Sequence, residues 1–279
     1  MGKKALCVGI NNFRNYPDAS LNGCVNDAND MQSLLKDFNG FTDKDIQVLT
    51  DAAATKAAIM SNLTEMVDGA IKGTYTHLVF SLSSHGTQVP DTNGDEPDKA
   101  DEAFCPHDLA QAGDIWDPNH VITDDELHDL FIKLPANVLL EVYFDTCHSG
   151  TGLKAIDMLL QRRPRYLPPP SLDAFLNIEQ RSPRQLNDLL LKKGITQQIL
   201  WAGCRANQTS ADAHIDGKWH GAFTYFFNKE VRACKNTLTR GDILKKVAAD
   251  LKAAHYTQVP QLETQATQRK LSPGAAPKK

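Results

Sequence analysis

The chain has 279 residues, 41% of them hydrophobic and 23% charged, with a formal net charge of -4. That size and apolar content suit one α/β domain with a sizeable core, and the slight acidic surplus argues against nucleic acid as a partner. No apolar run reaches the length that a bilayer span needs, so no membrane partner is expected.

Strand-like and helix-like segments alternate along the chain. Residues 5–10 (Ala-Leu-Cys-Val-Gly-Ile) form a short buried strand; the run ends at Asn11 and Asn12, too soon for the core of a signal peptide. Residues 26–38 carry Ala28, Met31, Leu34, Leu35 and Phe38 at helical spacing. Residues 46–50 are a second strand, and residues 55–71 a second helix with Ile59, Leu63, Met66 and Ala70 on one face. Residues 76–83 make strand three, followed by an acidic loop over residues 91–102. Thr123 and Glu126 form a capping box that opens a helix over residues 124–134. Residues 138–144 and 198–202 are strands four and five, and residues 239–254 a late helix with Ile243, Leu244, Val247 and Leu251 turned inward.

Near-continuous apolar strands separated by helices predict a mainly parallel sheet with helices on both faces. A single domain is expected over residues 1–271. Residues 154–197, rich in proline and arginine, form a loop-rich insertion, and residues 272–279 a disordered tail. Six scattered cysteines with no CxxC pair predict reduced thiols, no structural zinc and a cytoplasmic location.

Two strands end in polar clusters. Strand three ends Ser83-Ser84-His85-Gly86, and strand four ends Asp145-Thr146-Cys147-His148-Ser149-Gly150. Ligands bind at the carboxyl ends of strands in open α/β sheets. If the two strands are neighbours, His85 and Cys147 meet there as base and thiol nucleophile. The N–H groups of Gly86 and Cys147 then form an oxyanion hole. His148 adjoins Cys147, but consecutive strand residues face opposite ways, so His85 is the expected base.

The paired Ser83–Gly86 and Asp145–Gly150 motifs resemble those of caspase-like peptidases, in particular the metacaspases and their bacterial relatives, the orthocaspases. Residues 21–28 (Leu-Asn-Gly-Cys-Val-Asn-Asp-Ala), the acidic stretch Gly94-Asp95-Glu96-Pro97-Asp98 with Asp101 and Glu102, the segment Thr123-Asp124-Asp125-Glu126-Leu127 and the late segment Gly221-Ala222-Phe223-Thr224 are also similar to that family. The resemblance implies a three-layer caspase-like fold and cysteine endopeptidase activity through a Cys-His dyad. It implies protein or peptide substrates with Arg or Lys before the scissile bond, and a monomer. It places Asp27 and Asp145 as pocket acids and Cys24 and Ser83 on the pocket lining. Two carboxylates suit a guanidinium or ammonium.

No cofactor is required by this chemistry, though calcium is a candidate. The acids that hold it in calcium-activated metacaspases match Asp101, Asp124 and Asp125. The fourth falls on Lys154, whose ammonium opposes a divalent cation. Rival readings are a catalytically silent caspase-like interaction module and a peptidase of the clostripain or separase kind. Any self-cleavage is expected in residues 154–197 after Lys or Arg, where Arg162, Arg163, Arg165, Arg181 and Arg184 stand.

Overall fold

A computed structural model describes residues 2–90, 100–147, 162–171, 197–205 and 208–276. The chain opens with β1 (Gly2–Gly9), α1 (Cys24–Asn39), β2 (Ile46–Thr50), α2 (Lys56–Ile71) and β3 (Tyr75–Ser83). An antiparallel arm follows: β4 (Gly86–Pro90), β5 (Ala100–Phe104), the hairpin β6 (Gln111–Ala112) and β7 (Ile115–Trp116), and β8 (Ile122–Thr123). Then come α3 (Asp124–Phe131), β9 (Leu139–Asp145), β10 (Arg163–Pro164) and β11 (Gln198–Ala202). The hairpin β12 (Ala211–Ile215) and β13 (Lys218–Gly221) leads into α4 (Ala222–Ala233), α5 (Arg240–Ala253), β14 (Gln261–Glu263) and α6 (Ala266–Arg269).

Six strands share one sheet in the order β14-β11-β9-β3-β1-β2, parallel throughout except for β14 at the edge. Side-chain alternation explains why these strands read as continuous apolar runs. Leu6 and Val8 of β1, Leu78, Phe80 and Leu82 of β3, and Leu140, Val142 and Phe144 of β9 face one core, covered by α2 and α3. Ala5, Cys7, Val79, Leu139 and Tyr143 face the other, covered by α1, α4 and α5. Both faces are dry, so each position in the central strands must be apolar or paired. Two polar residues on the second face, Glu141 and Asp145, are therefore partnered acids on one side of β9.

Several boundaries differ from the sequence expectation. The acidic loop over residues 91–102 runs into β5, which pairs with β4 from Gly86↔Phe104 to Pro90↔Ala100; its alternating Ala103 and Phe104 gave too short a signal to read. The helix α4 and the β12–β13 hairpin went unread, because the hairpin has few apolar residues and α4 opens at a glycine with no side-chain cap. Residues 272–276 are packed rather than disordered. Asn236 Nδ2 donates to the Pro273 carbonyl at 2.9 Å, and the Gly274 N–H to Glu141 Oε2 at 2.8 Å. A buried carboxylate in the sheet recruits this backbone, which composition alone cannot reveal. The final residues, 277–279, lie outside the described residues.

Candidate active site

β3 and β9 are parallel neighbours with Ser83 opposite Asp145. His85 and Cys147 each stand two residues past those partners, so the sheet delivers both to one rim. His85 is buried, and its Nε2 lies 2.7 Å from the Ala19 carbonyl oxygen. That oxygen can only accept, so the ring proton sits on Nε2 and Nδ1 carries the lone pair. Among the described residues, Nδ1 has no hydrogen-bond partner. Burial lowers the His85 pKa to about 4, so the imidazole is neutral near pH 7 and able to take a proton.

Cys147 is fully buried, with its Sγ 3.3 Å from Cys204 Sγ. The Ser210 N–H is directed at the Cys147 sulfur. The thiol and the imidazole make no direct hydrogen bond. A third group joins their two loops: the Arg165 carbonyl oxygen accepts from the Gly86 N–H at 2.9 Å and from the Cys147 N–H at 3.2 Å. These are the two amides expected to form an oxyanion hole, and both converge on one oxygen.

The Arg165 side chain runs from that carbonyl into an acidic pocket and has no solvent exposure. Its Nη2 lies 2.8 Å from Asp27 Oδ2 and 3.0 Å from Asp212 Oδ1; its Nη1 lies 3.5 Å from Asp145 Oδ1. Each carboxylate is also held by local donors. Asp27 accepts from Ser83 Oγ at 3.0 Å and from the Gly221 N–H at 3.0 Å. Asp145 accepts from Ser210 Oγ, the Thr224 N–H at 2.9 Å and Thr224 Oγ1 at 2.8 Å. Asp212 accepts from the Asn22 and Gly23 N–H groups, each at 2.9 Å. Burial pushes the Asp27 pKa up to about 7, against the pull of the Arg165 guanidinium. Burial also holds the Cys24 thiol well above its ordinary range, partly offset by Arg165, which puts Cys24 beside the pocket. Gly221 completes the wall: a Cβ there would overlap the Asp145 carboxylate and the Arg165 guanidinium.

A family model for the metacaspase peptidase C14 domain matches residues 3–156. The chain belongs to the metacaspase family. Metacaspase-1 of Cryptococcus neoformans is 33% identical to it over 259 residues, covering 81% of this chain and 54% of that protein. Metacaspase-1 of Scheffersomyces stipitis is 31% identical over 292 residues, covering 93% of this chain and 70% of that protein. The chain thus spans about half the length of the Cryptococcus relative it matches. Two solved structures share the fold: a Geobacter sulfurreducens protein (TM-score 0.67, 23% identity, 98% of each chain) and caspase-1 from Spodoptera frugiperda (TM-score 0.57, 12% identity, 94% of this chain and 88% of that one). The three-layer caspase-like fold and the metacaspase cysteine peptidase family are therefore established for this chain.

Within this metacaspase, the structure brings Asp27, Ser83, His85, Gly86, Asp145 and Cys147 together at one end of the sheet, with Cys24 beside them. Sequence reasoning missed Asp212 and Ser210, whose strand-and-turn context lacks a distinctive motif. The similarity of residues 221–224 to the family was noticed without its role: Gly221 and Thr224 orient the two predicted pocket acids. Among the calcium candidates, Asp101 and Asp124 are buried. Among the described residues, no group of three or more His, Cys, Asp or Glu side chains is placed to hold a metal ion. Lys154 and His148 lie outside the described residues. No helix among the described residues is long and apolar enough to cross a membrane.

Proposed function

We propose that this metacaspase is an endopeptidase that hydrolyses peptide bonds after Arg or Lys, with Cys147 as nucleophile and His85 as base. One observation carries the reading: a guanidinium lies among three carboxylates while the carbonyl of the same residue accepts from the Gly86 and Cys147 amides. A substrate's cleaved residue needs that relation between side chain and carbonyl. In the reaction, His85 Nδ1 takes the Cys147 thiol proton, and the thiolate attacks the scissile carbonyl. The two amides stabilise the developing oxyanion. Protonated His85 then donates to the leaving amine, a thioester forms on Cys147, and water hydrolyses it with His85 again as base.

The acidic pocket supports specificity. An incoming guanidinium neutralises part of the charge of Asp27, Asp145 and Asp212 and bonds carboxylate in fork geometry. An incoming Asp would add a fourth carboxylate, a penalty of several kcal/mol on the scale of like-charge contacts at interfaces. Six unpaired cysteines support a reducing, cytoplasmic setting. Lys154, at the position of the family's fourth calcium acid, supports at most weak calcium dependence.

Hydrolysis of fluorogenic peptides ending in Arg, Lys and Asp tests the reading. Arg is expected to be cleaved fastest, then Lys, with negligible cleavage after Asp and with activity retained in excess chelator. Cys147→Ala should abolish hydrolysis and His85→Ala should lower kcat by about 10,000-fold or more, as for nucleophile and base acting as one unit. Equal rates on Arg and Asp peptides would contradict the pocket, and full activity of Cys147→Ala would contradict the mechanism.

A further inference from the structure

We propose that Cys204 is a resolving cysteine for Cys147: peroxide oxidation of Cys147 is captured as a Cys147–Cys204 disulfide, which silences the peptidase reversibly. The proposal rests on the reading of Cys147 as nucleophile and adds a covalent modification site to it.

The fold brings the two thiols together. β9 and β11 are parallel neighbours with Phe144 opposite Ala202, and the Gly203 N–H extends that ladder by donating to the Phe144 carbonyl at 2.8 Å. Cys147 and Cys204 follow directly, each carried off the end of its own strand. Neighbouring strands lie about 4.8 Å apart, within the ~4.4–6.8 Å that a disulfide spans between Cα atoms. The sulfurs are already in contact at 3.3 Å, and both residues are buried. Among the described residues, no other two cysteine sulfurs make such a contact.

The turn that carries Cys204 is fixed from outside the pair. Gln208 Nε2 donates to the Thr257 carbonyl at 2.9 Å, and Gln208 Oε1 accepts from the Val259 N–H at 2.9 Å. The Gln208 N–H closes the turn on the Arg205 carbonyl at 2.9 Å. Cys204 Sγ points at the Gln208 carbonyl at 3.3 Å and the Thr146 carbonyl at 3.6 Å. Its contact with Cys147 and its burial hold the Cys204 thiol well above its ordinary range. Thiolates are what peroxide oxidises, so Cys204 waits as a thiol while Cys147, deprotonated by His85, reacts first. A sulfenic acid without a thiol partner goes on to sulfinic acid, which is irreversible. A partner already in contact intercepts it.

The steps balance with hydrogen peroxide as oxidant. The Cys147 thiolate attacks one peroxide oxygen; an S–O bond forms, the O–O bond breaks, and the released hydroxide takes up a proton as water. Cys204 Sγ then attacks the Cys147 sulfur. The S–S bond forms, the S–O bond breaks, and hydroxide leaves with the Cys204 thiol proton as a second water. Each cysteine is oxidised by one electron, and one peroxide is reduced to two waters. A dithiol reverses this by exchange, restoring both thiols and keeping the disulfide itself.

The reduced full chain is treated with hydrogen peroxide, its remaining thiols are blocked, and the cysteines are mapped by mass spectrometry beside hydrolysis of an Arg-ending peptide. The expected result is one cross-linked pair, Cys147 with Cys204, with hydrolysis lost in proportion to it and regained in dithiothreitol. Cys204→Ser and Cys204→Ala should keep the basal rate. After peroxide they should carry sulfinic acid on Cys147 and stay inactive in dithiothreitol. Sulfinic acid on Cys147 of the parent with no cross-link would overturn the proposal and leave the peptidase reading intact. So would a cross-link to another cysteine, or equal recovery of parent and Cys204 variants. A Cys147–Cys204 disulfide in a chain that still hydrolyses the peptide would overturn the silencing, and Cys147 as nucleophile with it. The thiol map needs no activity, so a reduced chain inert on Arg and Lys peptides would overturn the specificity reading separately.

Discussion

Two fully buried arginines meet the same face of one strand. Arg240, on the regular helix α5, donates through Nε and Nη2 to Glu141 Oε1 at 3.2 and 2.9 Å. Arg165, on the irregular segment after β10, meets Asp145 four residues further along β9, roughly 13 Å away at the usual strand rise. At Arg240 one guanidinium balances one carboxylate; His77 Nε2, 3.1 Å from Glu141 Oε2, completes a closed network. At Arg165 one guanidinium faces three carboxylates, and each of those has its own backbone or hydroxyl donors. In the first cluster charge is balanced one to one; in the second, on the proposed reading, the acids are held without the arginine and serve as a pocket. The same chemistry becomes structure or recognition according to who satisfies the acids.

Stability should separate the two most sharply. Arg240→Ala removes the donors that Glu141 Oε1 has and leaves a buried carboxylate uncompensated, costing about 3–5 kcal/mol. For a chain of this size that corresponds to a Tm lower by roughly 6–20 °C. Arg165→Ala leaves Asp27, Asp145 and Asp212 their other donors, so its Tm should fall by much less. Thermal melts of the two variants decide; equal losses would mean that Arg165 is a structural ion pair.

Activity should separate them next. Asp27→Asn keeps the shape of the pocket and removes one charge, and should lower kcat/KM for Arg peptides by roughly 10- to 1,000-fold with little change in Tm. Unchanged kinetics would remove Asp27 from substrate recognition.

The smallest and most specific difference is in pH response. Burial raises Asp27 from its ordinary 3.8 to about 7, so the folded state holds that proton more tightly than the unfolded chain. Its contribution to stability falls as pH rises between those values, while binding of Arg improves as the carboxylate ionises. Glu141 shifts the other way: although burial opposes ionisation, Arg240 and His77 hold it below the usual carboxylate range. Its contribution is present above the unfolded value and is lost as pH falls through the folded one. With His85 already neutral above about 4, kcat/KM for Arg peptides should rise through about pH 7, and Asp27→Asn should flatten that limb. A limb that survives in Asp27→Asn would assign it to another group.

Much of this was legible in the sequence because it follows from short-range pattern. The parallel strands, the capping box at Thr123 and the polar ends of β3 and β9 all register in local spacing. The Ser83–Gly86 and Asp145–Gly150 motifs mark both candidate reacting groups in local sequence. What stayed hidden depends on long-range closure. Asp212 reaches the pocket only because the β12–β13 hairpin folds back against Asn22 and Gly23, far away in sequence. Arg165 was one arginine among five in a segment read as loop, and nothing local marks its carbonyl for the Gly86 and Cys147 amides. The packing of residues 272–276 was missed for the same reason: Glu141 needed partners, and the tail's composition does not show that it supplies them.

On the proposed mechanism, Cys147 attacks a carbonyl whose side chain is an arginine held by the acidic pocket. Labelling the Arg165→Ala chain with a peptidyl-arginine acyloxymethyl ketone, beside its aspartate counterpart, and mapping the modified cysteine by mass spectrometry tests that most directly. The expected result is one adduct, on Cys147, formed by the arginine reagent and not by the aspartate one. An adduct on Cys204 or another cysteine, or equal labelling by both reagents, would contradict it.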